Sequence, residues 1–319
     1  VVLGFARIES FAALALVLTL SRGLGQSALS IASLATVGKW FPRRVSVAMG
    51  VYSLVLGLGF CVAFPLVQAA AESHGWRAAW SALGYGLVAL ALLSAVGLRR
   101  EPRSPALAES RAKSDDGLRS FTLAEALLSP AFWVHSLACA LFLGVSSGTS
   151  LFTELMLAER GLGTDTFRVA LATTALVGIA ANFAGGWIGA RLAPGRLLAL
   201  SMLLVGASLC AYPLIATSGH AILWSAGLGL SGGFVTVVFF ALFGRLFGPE
   251  HLGKIQGVAQ ALTVIGSALG PLVFAAAKER LGSYEPAFLL LAPLVFLAAA
   301  ACWFVREPAV ACAEPVPGT

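Results

Sequence analysis

An all-α, polytopic membrane fold is what this 319-residue sequence predicts, built as two pseudo-symmetric six-helix bundles of which about the first three helices are missing. Three observations predict it. The composition is 58% hydrophobic and 11% charged, with a mean hydropathy of +0.89, whereas a soluble domain carries about 25% charged residues. Nine stretches are long enough to cross a bilayer, which takes about 20 mainly apolar residues. Finally, the chain repeats itself: Pro65-Leu-Val-Gln-Ala-Ala-Ala71 and Pro271-Leu-Val-Phe-Ala-Ala-Ala277 agree at six of seven positions, 206 residues apart.

The same interval pairs Gly38-Lys39-Trp40-Phe41 with Gly244-Arg245-Leu246-Phe247, and Gly23-Leu24 with Gly229-Leu230. Gly75-Trp76 and Gly282-Ser283-Tyr284 follow the two prolines at nearly equal distance. Halves that are related and almost wholly apolar point to two similar helical bundles.

The elements follow in order. Val1 to Ala6 reads as the end of a helix. Spans are expected over 11–37, 45–71 and 79–98, completing a first unit at 1–98. They should be helices, because hydrocarbon offers no partner to a free backbone N–H or C=O and the runs lack the alternation of barrel strands. Residues 99–126 contain Arg99-Arg-Glu-Pro-Arg-Ser-Pro105 and Lys113-Ser-Asp-Asp-Gly117, a polar linker. Six more spans, at 132–157, 169–189, 196–216, 221–243, 255–277 and 285–305, make a second unit over 127–308, and 309–319 is a tail. Gly229-x-x-x-Gly233, and Gly185 with Gly189, have the spacing that lets membrane helices approach closely. The counterpart of the span at Phe132 would lie before Val1, so about three helices are expected to precede this chain.

Basic residues orient the chain. If the loop after the first span is cytoplasmic, that side collects fourteen Lys and Arg, including Lys39, Arg43, Arg44 and Lys113, against six on the other, with Arg22 alone inside a span. The positive-inside rule then makes the linker and carboxy terminus cytoplasmic. The net charge of +6 reflects this topology; no soluble basic patch supports a nucleic-acid partner.

Several motif matches fail on context. Gly144-Val-Ser146-Ser-Gly148 fits a nucleophile elbow, but that needs a strand before a helix. Gly227-x-Gly229-x-x-Gly232 follows no strand either. The five cysteines have no metal-ligand spacing, so no metal, cofactor or disulfide framework is expected.

Taken together, several segments resemble the major facilitator superfamily, over nearly the whole chain and corresponding to that family's helices four to twelve. They are Ser21-Arg22-Gly23-Leu24-Gly25, Gly38-Lys39-Trp40-Phe41-Pro42-Arg43-Arg44 followed by Ala48-Met49-Gly50, and Gly57 and Gly59 before Pro65. Gly270-Pro271 is similar to the copy of that glycine–proline motif in helix eleven, and Gly186-Trp-Ile-Gly-Ala-Arg191 with Gly195-Arg196 to the family's loop signature between helices eight and nine. Where the family carries Asp this chain has Ala190, so an acid-based relay is not implied for this half. The resemblance gives Arg43, Arg44, Pro65, Gly186, Arg191, Arg196, Gly270 and Pro271 gating or structural roles. It implies a monomeric secondary transporter working by alternating access, with a small solute and the lipid bilayer as partners, in a bacterial inner membrane. The Trp40-Phe-Pro-Arg-Arg44 segment resembles carboxylate-transporting branches such as the oxalate/formate antiporter-like group. A non-transporting receptor or scaffold, or a multidrug exporter whose coupling acid precedes this chain, stays open as an alternative.

Solute contacts are sought among polar groups that lipid would reject. Arg22 lies about 16 Å into its span, near the midplane of a core roughly 30 Å thick, followed by Gln26, Ser30 and Ser33 at helical spacing. It either binds an anionic solute group or braces a neighbouring helix. His135, Cys139, Phe142, Ser146, Ser150 and Thr153 recur on one face, as a cavity wall or as interhelical bonding groups, with His135 read as interfacial. Asn182 is mid-span; Gln260 leads toward Gly270-Pro271, with Gln256 read as interfacial. The candidate solute-binding set is therefore Arg22, Gln26, Phe142, Ser146, Asn182 and Gln260. No acid is mid-membrane, which suits an anion or a neutral solute rather than a cation.

The topology is directly testable in a background lacking native cysteines. Cysteine introduced at Ser114 should resist an impermeant thiol reagent in intact cells, whereas one at Ser73 should react; the reverse pattern sinks the orientation.

Overall fold

The computed structural model describes residues 1–29, 33, 36, 45–97, 121–189, 191–248 and 251–308. They form α1 (Val2–Phe5), α2 (Phe11–Ser21, continued as a π-helix over Arg22–Leu29), α3 (Val45–His74) and α4 (Trp76–Gly97). After these come α5 (Leu123–Leu128), α6 (Pro130–Glu159), α7 (Thr164–Gly189), α8 (Pro194–Ala211, then a 3-10 turn Tyr212–Leu214), α9 (Ser218–Phe247), α10 (Leu252–Leu281) and α11 (Glu285–Phe304). Among the described residues there is no strand, and seven helices are long and apolar enough to cross a membrane. The chain is an integral, multi-pass, all-α membrane protein. It divides into two compact units, Val1–Asp115 and Asp116–Thr319.

The seven are α4 and α6 to α11. α3 is a 30-residue helix at the place of the second expected span, and α2 with its π-helical continuation covers the described part of the first. Most helices outrun the apolar stretches that announce them. Hydropathy marks only the segment that must sit in hydrocarbon, while the hydrogen-bond ladder continues until a cap or a left-handed residue stops it. Gly282 stops α10 at φ 77°, its N–H donating to the Lys278 carbonyl at 3.0 Å. Gly75 stops α3 at φ 82°. The internal repeat is thus a repeat of structure: a 30-residue helix with an interior proline, a left-handed glycine, then a shorter helix, in α3–α4 and again in α10–α11.

In the first unit α1 packs on α4, with Phe5 stacked on Trp80 at 4.5 Å. The second unit is a six-helix bundle in which α6 packs chiefly against α10, α7 against α9, and α8 against both α9 and α11. Its outer surface is as apolar as its core: Leu214 and Leu223 are each 73% exposed, which suits lipid. Since lipid tails are as apolar as leucine, burial alone selects no neighbour, and close backbone packing must do so.

Glycine supplies that closeness. A Cβ built on Gly266 of α10 would fall onto the Ala140 carbonyl of α6, and one on Gly270 onto the Gly144 carbonyl. On the second seam Gly229 and Gly233 of α9 face the α7 backbone at Thr174 and Gly178 in the same way. One end of the unit is filled by aromatic rings, Tyr212 on Phe288 at 3.9 Å and Phe274 against Phe288 at 5.1 Å. At the same end Arg160 donates to the Pro213 carbonyl at 2.7 Å and pairs with Glu285 at 3.7 Å.

Gly270→Ala should therefore separate α6 from α10 and lower stability by about 1 to 3 kcal/mol or more. Gly257→Ala, on the same helix with open space around it, should be neutral or slightly stabilising. Apparent melting temperatures of the purified variants in detergent check the contrast; equal values would mean that this seam is not tight.

Candidate solute-binding site

Arg22 and Gln26 both lie on the π-helical stretch Arg22–Leu29 that continues α2. A π-helix is rare and tends to occur at functional sites. A Cβ on Gly23 or Gly25 in that stretch would meet nothing within 4 Å. One turn beyond it, Ser33 donates its hydroxyl to the Leu29 carbonyl at 2.6 Å. Pro65 falls inside α3. Arg43 and Arg44 lie outside the described residues.

The second unit distributes the remaining candidates over two helix seams. Phe142 and Ser146 stand on α6 and Gln260 on α10, the pair that packs through Gly266 and Gly270. Asn182 stands on α7, its backbone N–H facing Gly233 of α9. Phe142 is buried at 8% exposure, in the apolar core. Ser146 and Gln260 are half-buried, and their carbonyls accept from the hydroxyls of Thr149 (3.1 Å) and Thr263 (2.8 Å). Asn182 is half-buried too, and its Oδ1 is buried without a partner. In this apolar surrounding, an orphan acceptor is a place for a donor from water or solute.

The polar residues of α6 and α10 differ widely in burial. The α6 stripe is not a continuous wall: His135 and Cys139 are fully buried, Ser150 is exposed, and Ser146 and Thr153 lie between. His135, read as interfacial, is fully buried in the protein near the start of α6. Gln256, also read as interfacial, is 9% exposed.

The residues read from the sequence as gating or structural lie as follows. A Cβ on Gly186 would meet nothing, whereas Gly185 is the residue against Phe234 of α9. With Ala190 in place of an acid, the two arginines of that loop lie over indoles: Arg191 is 3.8 Å from the Trp187 ring centroid, Arg196 5.9 Å from that of Trp303. Gly270 backs onto Gly144, and Pro271 sits inside α10.

Sequence reasoning missed Ser147. Pro271 has no N–H, so the carbonyl four residues earlier, that of Ser267, loses its helical partner. The Ser147 hydroxyl of α6 donates to that carbonyl at 2.6 Å. The signal was present, since a proline inside a membrane helix requires a donor near residue i−4. Glu307 was missed as well: it accepts from the Gly195 N–H at 2.9 Å, at the first turn of α8. No cluster of three or more His, Cys, Asp or Glu that could hold a metal occurs among the described residues.

The family model described as Major Facilitator Superfamily matches residues 1–229 and 196–313. Monocarboxylate transporter 13 of Bos taurus is 26% identical over 279 residues, which is 84% of this chain and 62% of that protein. Monocarboxylate transporter 11 of Homo sapiens is 27% identical over 291 residues, 87% of this chain and 60% of that protein. An uncharacterized 38 kDa protein in the 23S RNA operon of Thermoproteus tenax is 28% identical over 237 residues, 74% of this chain and 56% of that protein. The chain spans about three fifths of the length of these relatives.

Ser147→Ala should strand the Ser267 carbonyl and lower stability by about 1 to 3 kcal/mol, while Ser146→Ala should stay within about 0.5 kcal/mol of the parent. Melting of both purified variants tests the assignment; equal effects would show that the hydroxyl of Ser147 is dispensable.

Proposed function

Because the chain belongs to the major facilitator superfamily, we propose that it serves as a secondary transporter of small organic solutes, and that its solute is a short monocarboxylate anion. The observation that carries this reading is the family match along nearly all of the chain. The similarity to monocarboxylate transporters at 26 and 27% identity supplies the solute class. The reading assigns no catalytic role to any residue.

The physics of the candidate residues supports an anion. Placing a charge near the bilayer midplane costs about 2.5 to 3.5 kcal/mol even on the mild insertion scales, so Arg22 is retained there for a counter-charge. A guanidinium matches a carboxylate with two parallel hydrogen bonds, and Gln26, one turn on, adds an amide. Ser146, Asn182 and Gln260 offer neutral groups that would bond a hydroxyl or carbonyl of the solute without repelling its charge. Alternating access is the movement this reading assigns to transport. The gating residues, from Arg43, Arg44 and Pro65 to Gly270-Pro271, are assigned to that movement. The fourteen-to-six distribution of basic residues supports a cytoplasmic linker and carboxy terminus, and this reading takes the protein as a monomer of a bacterial inner membrane.

Cells expressing the whole gene that encodes this chain should take up or exchange radiolabelled short monocarboxylates in a saturable way that empty-vector cells do not, whereas the 319-residue chain by itself should not. Absence of flux with every monocarboxylate tried, from protein present in the membrane, would overturn the reading. Arg22→Lys should weaken apparent affinity, and Arg22→Gln, which removes the charge, should weaken it further. If Arg22→Gln instead keeps the parent affinity while melting much earlier, Arg22 is a brace and not a solute ligand.

A further inference from the structure

We propose that the first unit carries a binding site for the phosphodiester group of an anionic membrane lipid, held between Arg7 and Arg77 at the end of α4 away from the 99–126 linker. The site does not depend on which solute the protein carries.

Two contacts lay the residues before Arg7 antiparallel along α4. A Cβ on Gly84 would fall onto the Leu3 side chain, and Phe5 stacks on Trp80 at 4.5 Å. Two residues forward on one segment thus answer to about one turn back along α4, and the next step of that register brings Arg7 to Arg77. The two arginines line one cleft of about 370 Å³, together with Leu3, Ser81 and Tyr85. From Arg77 to Tyr85 the cleft follows α4 for about 12 Å by helical rise, which is longer than a single small ion.

Its charge is unanswered. Among the described residues no carboxylate pairs with Arg7 or Arg77. Arg77 lies with its guanidinium over the Trp76 ring, 4.3 Å from the centroid, a contact that leaves the N–H groups of the fork free. Glu72, the acid nearest before Arg77 in sequence, accepts from Gln68 at 2.9 Å. The second unit has a cleft at the same place in the repeat: Ala6 and Arg77 line the first, and Tyr212 and Ser283, 206 residues on, line the second. There Arg160 donates to the Pro213 and Ile215 carbonyls and pairs with Glu285, so the cation is matched within the protein. In the first unit two like charges share one cleft, at the amino-terminal end of α4, whose dipole adds to the positive potential.

A phosphodiester answers both arginines, since each planar fork can give two parallel hydrogen bonds to its oxygens. Ser81 already donates its hydroxyl to the Arg77 carbonyl at 2.9 Å, which leaves the Tyr85 hydroxyl as a further donor. The setting makes the anion a lipid. Trp76 and Tyr85 are exposed aromatic residues of the kind that sit at headgroup level, and farther along α4 the exposed Leu90, Leu92 and Leu93 offer an apolar surface to acyl chains.

Native mass spectrometry of the protein encoded by the whole gene, released in mild detergent and given equal amounts of phosphatidylglycerol and phosphatidylcholine, reads the site. Phosphatidylglycerol carries a net negative charge and phosphatidylcholine none. The parent should keep one phosphatidylglycerol under activation that strips phosphatidylcholine. Arg7→Gln and Arg77→Gln should each lower its occupancy about fivefold, and the double variant should hold the two lipids equally. Arg77→Lys, which keeps the charge, should retain the preference in weakened form, and Arg168→Gln, at an exposed arginine of the second unit, should match the parent. Excess inorganic phosphate or a short monocarboxylate, at constant ionic strength, should leave the lipid in place; displacement by either assigns the cleft to a free anion and overturns the lipid. Equal retention of the two lipids by the parent, as a carboxylate elsewhere in the whole protein would give, overturns the proposal. So does a preference that survives in a double variant with the parent's helical content.

Discussion

The carbonyl of Ser267 is the point on which the second unit turns. Pro271 takes away its helical donor, and in a bilayer there is no water to replace it. The nearest hydroxyl on the facing helix, Ser147, fills the vacancy at 2.6 Å. It can do so only because the backbones of α6 and α10 approach within touching distance at Gly144, Gly266 and Gly270. Proline, glycine and serine are therefore one arrangement: proline creates the demand, glycine brings the helix, serine answers. Larger residues at any of these glycines would undo the bond as surely as loss of the hydroxyl.

This explains which parts were legible in the sequence. Spans are announced by composition, because every residue facing hydrocarbon must be apolar, and the Pro65 and Pro271 segments announce the repeat. Helix ends were less legible: α6 and α10 run past the apolar stretch at both ends, since backbone hydrogen bonding does not stop where lipid does. Among the candidate site residues, composition could find polar groups but not direction. Phe142 turns into the core, and His135 is fully buried. Ser147, adjacent to the residue singled out, makes the interhelical bond. A one-residue difference on a helix is about 100° of rotation, which spacing alone does not fix without knowing which neighbour is closest.

The family assignment and the sequence agree in one respect: no acid lies near the middle of an apolar span. The basic residues of the loop after α7 rest on indole rings in place of the acid that such loops commonly carry. Arg191 and Trp187 are both exposed, and such a contact contributes about 0.5 to 1 kcal/mol at an exposed site.

The spanning helices of the second unit differ in length. α6, α9 and α10 have 30 residues each, about 45 Å, whereas α8 and α11, which pack on one another, have 18 and 20, about 27 and 30 Å. Long helices adapt to a thicker bilayer by standing more upright, but short ones have no reserve. The α8–α11 pair is therefore the gauge of this protein: it sets the hydrocarbon thickness in which the unit rests without strain. A membrane thickened by longer acyl chains would have to thin locally around that pair before it disturbed any other.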